Sequence, residues 1–228
     1  IIPKFIPGEI RGEVFIDGRD INEYDMGEMA EKIGFVFQNP FIQISGIKKT
    51  VFEEVAYGLE NLGVPKEEII ERTKAVLKQL DIEYLQNKHP SELSGGQSQR
   101  VALASVLVME PEILLVDEPT SQLDPKGTEE VFDALGILKE QNKTVILVEH
   151  KIDLISEYAD RVIVLGDSGI VMEGTTEEVL SNPEIEKYGV PMPKIVALSH
   201  ELKDKGLRDF KTIPTTIADA LEEFKEEI

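Results

Sequence analysis

The sequence predicts an α/β protein built on a parallel sheet, and three features of its pattern carry that expectation. Two short apolar runs, Ile113-Leu114-Leu115-Val116 and Val145-Ile146-Leu147-Val148, have the length of strands and lack polar alternation, as strands covered on both faces do. Between them Val131, Phe132, Leu135 and Leu138 recur at helical spacing over residues 129–139, so that strand, helix and strand follow one another as in a parallel crossover. Residues 41–110 read as helical, with Ile69, Ile70, Val76, Leu77 and Leu80 on one side of a charged segment that begins at Pro65.

The chain opens on a strand, Glu13-Val14-Phe15-Ile16, turned by Asp17-Gly18 into Arg19-Asp20-Ile21; Asp-Gly tolerates the positive φ angles of a tight hairpin turn. A second strand, Ile33-Gly34-Phe35-Val36-Phe37, runs into Gln38-Asn39-Pro40, where proline ends the ladder and leaves Gln38 at the rim of the sheet. Beyond the crossover, residues 161–165 and 170–172 form a hairpin through Gly166-Asp167-Ser168-Gly169. From Pro183 the composition shifts: Pro183, Gly189, Pro191 and Pro193 read as a linker to two helices. The first carries Ile195, Val196, Leu198 and Leu202 and stops at Gly206. The second starts at Thr216 with Asp219 in a capping-box position, and its pattern buries Ile217, Leu221, Phe224 and Ile228.

A chain of 228 residues that is 41% hydrophobic can bury a substantial core. Its net charge of -20 repels phosphate backbones, which excludes nucleic acid as the expected partner. It has no cysteine, hence no disulfide framework and no thiolate zinc site, as suits a reducing cytosol. No apolar run approaches the roughly 18 to 20 residues needed to cross a bilayer, so a membrane role is expected through a partner.

Several short motifs point to chemistry. Leu93-Ser94-Gly95-Gly96-Gln97 puts a hydroxyl and side-chain-free N–H groups at the start of a helix expected over residues 97–109, where partial positive charge favours phosphate oxygens. An isolated Ser-Gly-Gly is commonly a simple turn, but here Arg100 and then Ile113-Leu114-Leu115-Val116-Asp117-Glu118-Pro119 follow. Asp117 ends an apolar strand, at the edge where α/β sheets bind ligands. Glu118 is next to it, positioned to polarise an attacking water. Gln38 has an amide able to accept from water and to coordinate a cation. His150 follows the second apolar run, while His89 and His200 read as structural or exposed.

Gln38, the pentad at 93–97, Asp117-Glu118, Ser121-Gln122-Leu123-Asp124 and His150, in this order over residues 12–174, resemble the ATP-binding-cassette (ABC) ATPase family. The resemblance implies a RecA-like P-loop NTPase sheet with a helical ABC subdomain and a C-terminal helical extension. Residues 1–45 would be the first part of the RecA-like lobe, 46–109 the helical subdomain with the signature motif, 110–180 the remainder of the lobe and 183–228 the extension. It also implies ATP and Mg²⁺ as cofactors, with Asp117 and Gln38 toward the metal and Glu118, His150 and Gln38 in catalysis. Ser94, Gly95, Gly96, Gln97 and Asp124 would meet nucleotide, the signature turn touching a γ-phosphate held by the opposite subunit, and Ser121 and Asp124 would signal across the pair. Ser98 stands where a basic residue is more usual, which would soften the field near the helix start.

The family's G-x-x-x-x-G-K-[ST] phosphate loop does not occur in the 228 residues, which open on Ile1-Ile2. The expectation is therefore a cropped chain that starts just after the phosphate-loop helix and that alone binds ATP poorly. Within the family, Phe37-Gln38-Asn39-Pro40 and Val51-Phe52-Glu53-Glu54-Val55-Ala56-Tyr57-Gly58-Leu59-Glu60-Asn61-Leu62-Gly63 are similar to the energy-coupling-factor (ECF) and cobalt-type importers. Lys194-Ile195-Val196-Ala197-Leu198 and Lys205-Gly206-Leu207 are similar to their C-terminal dimerisation extension.

This resemblance implies an ATPase that powers uptake of a vitamin or metal ion by head-to-tail dimer closure. Its partners would be a second ABC ATPase subunit, identical or paralogous, a transmembrane coupling protein and a substrate-binding membrane component. Its place would be peripheral, at the cytoplasmic face of the cell membrane. Two alternatives stand beside it. A soluble ABC ATPase acting on nucleic acid or ribosomes would be favoured by long heptads or a basic arm, which the sequence lacks. A non-catalytic partner subunit is disfavoured by the intact Glu118 and His150.

Overall fold

The computed structural model describes residues 8–121, 123–141, 143–167 and 169–225, so that Ile1, Ile2, Gln122, Ser168 and Ile228 lie outside the described residues. Two compact units, Ile1–Leu147 and Val148–Ile228, divide the chain within its third sheet strand.

The first unit opens with β1 (Phe15–Ile16) and β2 (Arg19–Asp20), paired antiparallel through Phe15↔Asp20 and Ile16↔Arg19. Asp17 and Gly18 adopt φ of 50° and 76°, the left-handed pair that the Asp-Gly sequence is suited to. Helix α1 (Met26–Lys32) begins with a capping box between Asp25 and Glu28 and leads into β3 (Ile33–Val36). A short α2 (Pro40–Gln43), then α3 (Val51–Asn61), α4 (Lys66–Gln79) and α5 (Gly95–Leu107) make the helical stretch. Next come β4 (Ile113–Asp117), α6 (Pro125–Glu140) and β5 (Thr144–Val148). The sheet order is β3-β4-β5, and β3 pairs parallel with β4 from Ile33↔Ile113 to Val36↔Val116.

Val36, Leu114 and Val116 of this sheet share one core with Val131, Leu135 and Leu138 of α6, Val101 and Leu103 of α5, and Val55 and Leu59 of α3. The strand between Lys32 and Phe37 tolerates α5 this closely because residue 34 is glycine; a Cβ there would lie 2.3 Å from Cγ1 of Val106. The expectation for the second apolar run needs correction: Val145 and Leu147 pack on the core, but Ile146 and Val148 are 54% and 51% exposed. Only one face of β5 is covered among the described residues, so continuous hydrophobicity does not mean burial on both faces here.

In the second unit α7 (Ile152–Tyr158) precedes the hairpin of β6 (Arg161–Gly166) and β7 (Gly169–Thr175), followed by α8 (Thr176–Leu180). Val164, Val179, Leu180 and Ile185 form its core. The linker read at Pro183 therefore begins as a packed element: residues Pro183–Tyr188 form a 3₁₀ helix that buries Ile185 completely. Helix α9 (Lys194–Asp204) ends as expected, with Gly206 at φ 63°. Its N–H donates to Lys203 O and that of Leu207 to Leu202 O, the two bonds of a Schellman motif. Helix α10 (Ile217–Lys225) starts with the expected reciprocal bonds between Thr216 and Asp219.

The buried face of α10 is not the one its apolar pattern indicates. Ile217 and Leu221 are 64% and 54% exposed, while Ala220 is buried. Phe224 sets the rotation: its ring meets Phe210 edge-on at 6.2 Å, and the Arg208 guanidinium lies 4.3 Å from its centroid.

Candidate functional site

Parallel pairing of β3 with β4 brings the ends of both strands to the same edge of the sheet. Gln38, two residues beyond β3, and Glu118, one residue beyond β4, meet there: Gln38 Nε2 donates to Glu118 Oε2 at 2.6 Å. The carboxylate can only accept, which fixes the amide orientation and turns Gln38 Oε1 away as a remaining acceptor. Asp117 is the last residue of β4 and half-buried. Glu118 has φ of 41°, a left-handed conformation that a side chain other than glycine adopts only under constraint from its surroundings. Nothing in the local sequence announces that strain; the following Pro119 and Thr120 are buried.

The signature turn is organised as a helix cap. Ser94 is the N-cap of α5; its Oγ accepts from Gln97 N–H at 3.4 Å, and Gln97 Oε1 accepts from Ser94 N–H at 3.1 Å. Helix α5 therefore starts two residues earlier than residue 97. Ser98 N–H bonds back to Ser94 O at 2.8 Å, so the first-turn donors that an anion would take are the N–H groups of Gly95 and Gly96. Ser94 is exposed and keeps its hydroxyl hydrogen to donate. Ser98 is fully buried.

The start of α5 lies beside the segment that leads into α6. A Cβ at Gly96 would lie 3.7 Å from Cδ2 of Leu123, and further along the helices Arg100 pairs with Glu130 at 3.2 Å while donating to Tyr84 Oη at 3.4 Å. The carboxylate of Asp124 is the N-cap of α6, accepting from Gly127 N–H at 2.8 Å. In this state Asp124 serves the helix, and Gln97 serves the signature turn. Ser121 is exposed just before them.

His150 lies in the second unit, exposed two residues beyond β5. The other two histidines are structural, as read from sequence: His89 Nδ1 accepts from Ser91 N–H at 3.2 Å, and His200 Nε2 lies 3.0 Å from Ser181 O. A cavity of about 450 Å³, lined by Val76, Gln79, Leu107, Leu114 and Leu138, opens near the start of β4, at the opposite end of the strand from Asp117. The chemistry-bearing residues do not line it. Sequence reasoning missed Gln43, whose side chain bonds to both the Gln38 segment and α5; the signal available was a single amide inside Phe41-Ile42-Gln43-Ile44.

Comparison with known proteins shows the family. The ABC transporter family matches residues 3–121. The energy-coupling factor transporter ATP-binding protein EcfA of Methanocaldococcus jannaschii is 43% identical over 199 residues, which cover 86% of this chain and 70% of that protein. Among solved structures, cbiO1 of Clostridium perfringens, part of the ABC transporter complex cbiONQ, superposes with a TM-score of 0.69 at 36% identity, covering 83% of this chain and 76% of that one. The ATP-binding cassette MJ0796, in a dimeric post-hydrolysis state bound to ADP and Pi, gives 0.63 at 35% identity, covering 73% and 74%. Fold, motifs and sequence thus converge, and the chain belongs to the ABC transporter family as one of its ATPases, similar to those of the energy-coupling-factor type.

Proposed function

We propose that this chain is the ATP-hydrolysing subunit of an ECF-type importer, working by head-to-tail closure on a second ABC ATPase and driving uptake of a vitamin or a metal ion. The observation that supports the reading is the bonded pair Gln38–Glu118 at the sheet edge, a carboxylate able to act as general base beside an amide oxygen able to face a cation.

The donor set fits Mg²⁺, a hard cation that binds through one or two protein oxygens and keeps water and phosphate as its other ligands. Gln38 Oε1 and the Asp117 carboxylate are such oxygens. Among the described residues no group of three acidic or histidine side chains gathers. When bound, Mg-ATP supplies the phosphoryl group and the charge neutralisation that hydrolysis needs.

The chain's own residues do the rest. Glu118 accepts a proton from the attacking water once Gln38 releases its Oε2. The Ser94 hydroxyl and the N–H groups of Gly95 and Gly96 donate to the γ-phosphate bound by the opposing subunit, and His150 is a further donor to a γ-phosphate. Asp124 and Ser121 report closure across the pair.

The partners follow from the same reading: a second ATPase subunit, a transmembrane coupling protein and a substrate-binding membrane component, at the cytoplasmic face of the membrane. Among the described residues no helix is long and apolar enough to cross a membrane. Phe41, Ile42 and Ile47, which follow Gln38 in sequence and are 60%, 69% and 68% exposed, offer apolar surface for the coupling protein. Affinity purification from native membranes is expected to recover both membrane components with the chain. Recovery of ribosomes or nucleic acid without them contradicts the proposal.

A further inference from the structure

Helix α2 is inside out with respect to its hydropathy. Phe41 and Ile42 are 60% and 69% exposed, whereas Gln43, the amide at its end, is turned inward and half-buried. The amide is used at both ends. Its Oε1 accepts from the backbone N–H of Phe37 at 3.2 Å, and its Nε2 donates to Ala102 O at 3.0 Å, with Ser105 Oγ at 3.5 Å. Ala102 lies in α5, the helix that begins at the signature turn, and Phe37 is the neighbour of Gln38.

We propose that Gln43 is a positioning residue that locks the registry between the Gln38–Glu118 pair and the signature helix. The bonded path is short and continuous: Glu118 Oε2 to Gln38 Nε2, one residue back to Phe37 N–H, across the Gln43 amide to Ala102 O, and along α5 to Ser94. The amide is planar and holds its oxygen acceptor and nitrogen donor in fixed relative directions, so a shift of α5 against β3 strains one of the two bonds. The segment is held against swinging freely. Asn39 Oδ1 caps α2 by accepting from Phe41 N–H at 3.0 Å, and the Ser45 hydroxyl and N–H both donate to the buried Glu54 of α3, at 2.8 and 2.5 Å. Gln43 thus transmits motion between α5 and the reacting edge without touching either substrate or metal. This inference rests on the ATPase reading above and adds to it the part that couples two of its elements.

The test uses the protein in its assembled transporter, with amide hydrogen exchange as a readout independent of hydrolysis. Gln43→Leu removes both bonds at similar size; kcat is expected to fall roughly 10-fold with KM for ATP within about twofold of wild type, because alignment and not ground-state binding is lost. Amides of residues 95–106 are expected to exchange faster in the same variant. Gln43→Glu keeps the acceptor for Phe37 but as a carboxylate has no donor for Ala102; protonation restores an O–H. Its rate relative to wild type is therefore expected to climb as pH is lowered toward about 5, whereas Gln43→Leu shows no such climb. A wild-type kcat in Gln43→Leu, a loss confined to KM, or a flat relative pH profile in Gln43→Glu overturns the proposal, and the Glu variant decides if the Leu variant fails to fold. If the wild-type assembly does not hydrolyse ATP, the ATPase reading fails, and unchanged exchange at 95–106 in Gln43→Leu separately refutes the bridge.

Discussion

Gln38 and Glu118, 80 residues apart in sequence, are joined by a 2.6 Å hydrogen bond that spans the ends of two parallel strands. The bond occupies the carboxylate oxygen that a nucleophilic water would use, so base catalysis requires the two side chains to part. In the proposed mechanism Gln38 is accordingly both a metal-facing amide and a latch.

Replacing Gln38 with alanine removes the latch and one oxygen donor together. Hydrolysis by the assembled transporter is expected to fall about 10-fold in kcat and to require more Mg²⁺ for half-maximal rate. Steady-state kinetics over a Mg²⁺ series checks it; an unchanged Mg²⁺ requirement removes Gln38 from the metal side.

Glu118 carries its function in a strained backbone. With φ at 41°, the residue sits where glycine is at ease, and such conformations cost on the order of 1–3 kcal/mol. Glu118→Gly relieves that strain while adding freedom to the unfolded chain and losing the Gln38 bond, so stability is expected to change by no more than about 1 kcal/mol while hydrolysis disappears. Urea unfolding beside an activity assay reads both. A loss well above that figure contradicts the strain argument.

Arg100 fastens the signature helix to α6. Its side chain is 11% exposed and that of its partner Glu130 30%, at 3.2 Å. Because Glu130 keeps contact with solvent, removing the cation is expected to cost about 2 kcal/mol, less than for a fully buried pair. A double-mutant cycle with Arg100→Met and Glu130→Gln is expected to return a coupling of about 1 kcal/mol. Strict additivity places the stability elsewhere.

In the second unit, Asp153 supplies the cap that α9 lacks at Pro193, accepting from Lys194 N–H at 2.9 Å and pairing with its ammonium at 2.9 Å. Partial burial pushes the Asp153 carboxyl upward, but these two Lys194 contacts outweigh it and hold the group below its ordinary value. A depressed carboxyl stabilises the fold above its unfolded value, and the contribution disappears as pH falls through the folded one. The pair is solvent-exposed, so Asp153→Asn is expected to cost less than about 1 kcal/mol at neutral pH, with the difference from wild type vanishing at acid pH below both values. Urea titrations at the two pH values check the sign.

What could be read from the sequence was local. Asp17-Gly18, the Thr216–Asp219 cap and the Gly206 stop each encode their geometry within a few residues, and all three form as expected. So do the parallel strands, because a short apolar run ending in Asp117-Glu118 leaves little choice. Burial was less legible. Ile146, Ile217 and Leu221 are exposed although their pattern is apolar, and Ile185 is buried inside a proline-rich stretch, because each outcome depends on which distant element packs there. The left-handed Glu118 and the inverted Gln43 were invisible for the same reason: their surroundings, not their neighbours in sequence, impose them.

The central claim is that the Glu118 carboxylate is the base of an ABC ATPase. ATP hydrolysis by the assembled transporter with Glu118→Gln, which keeps size and hydrogen-bonding capacity but removes the proton acceptor, tests it most directly. The expected result is a rate lower by roughly 10² to 10⁴ with nucleotide binding retained. Hydrolysis within a few-fold of wild type contradicts the account.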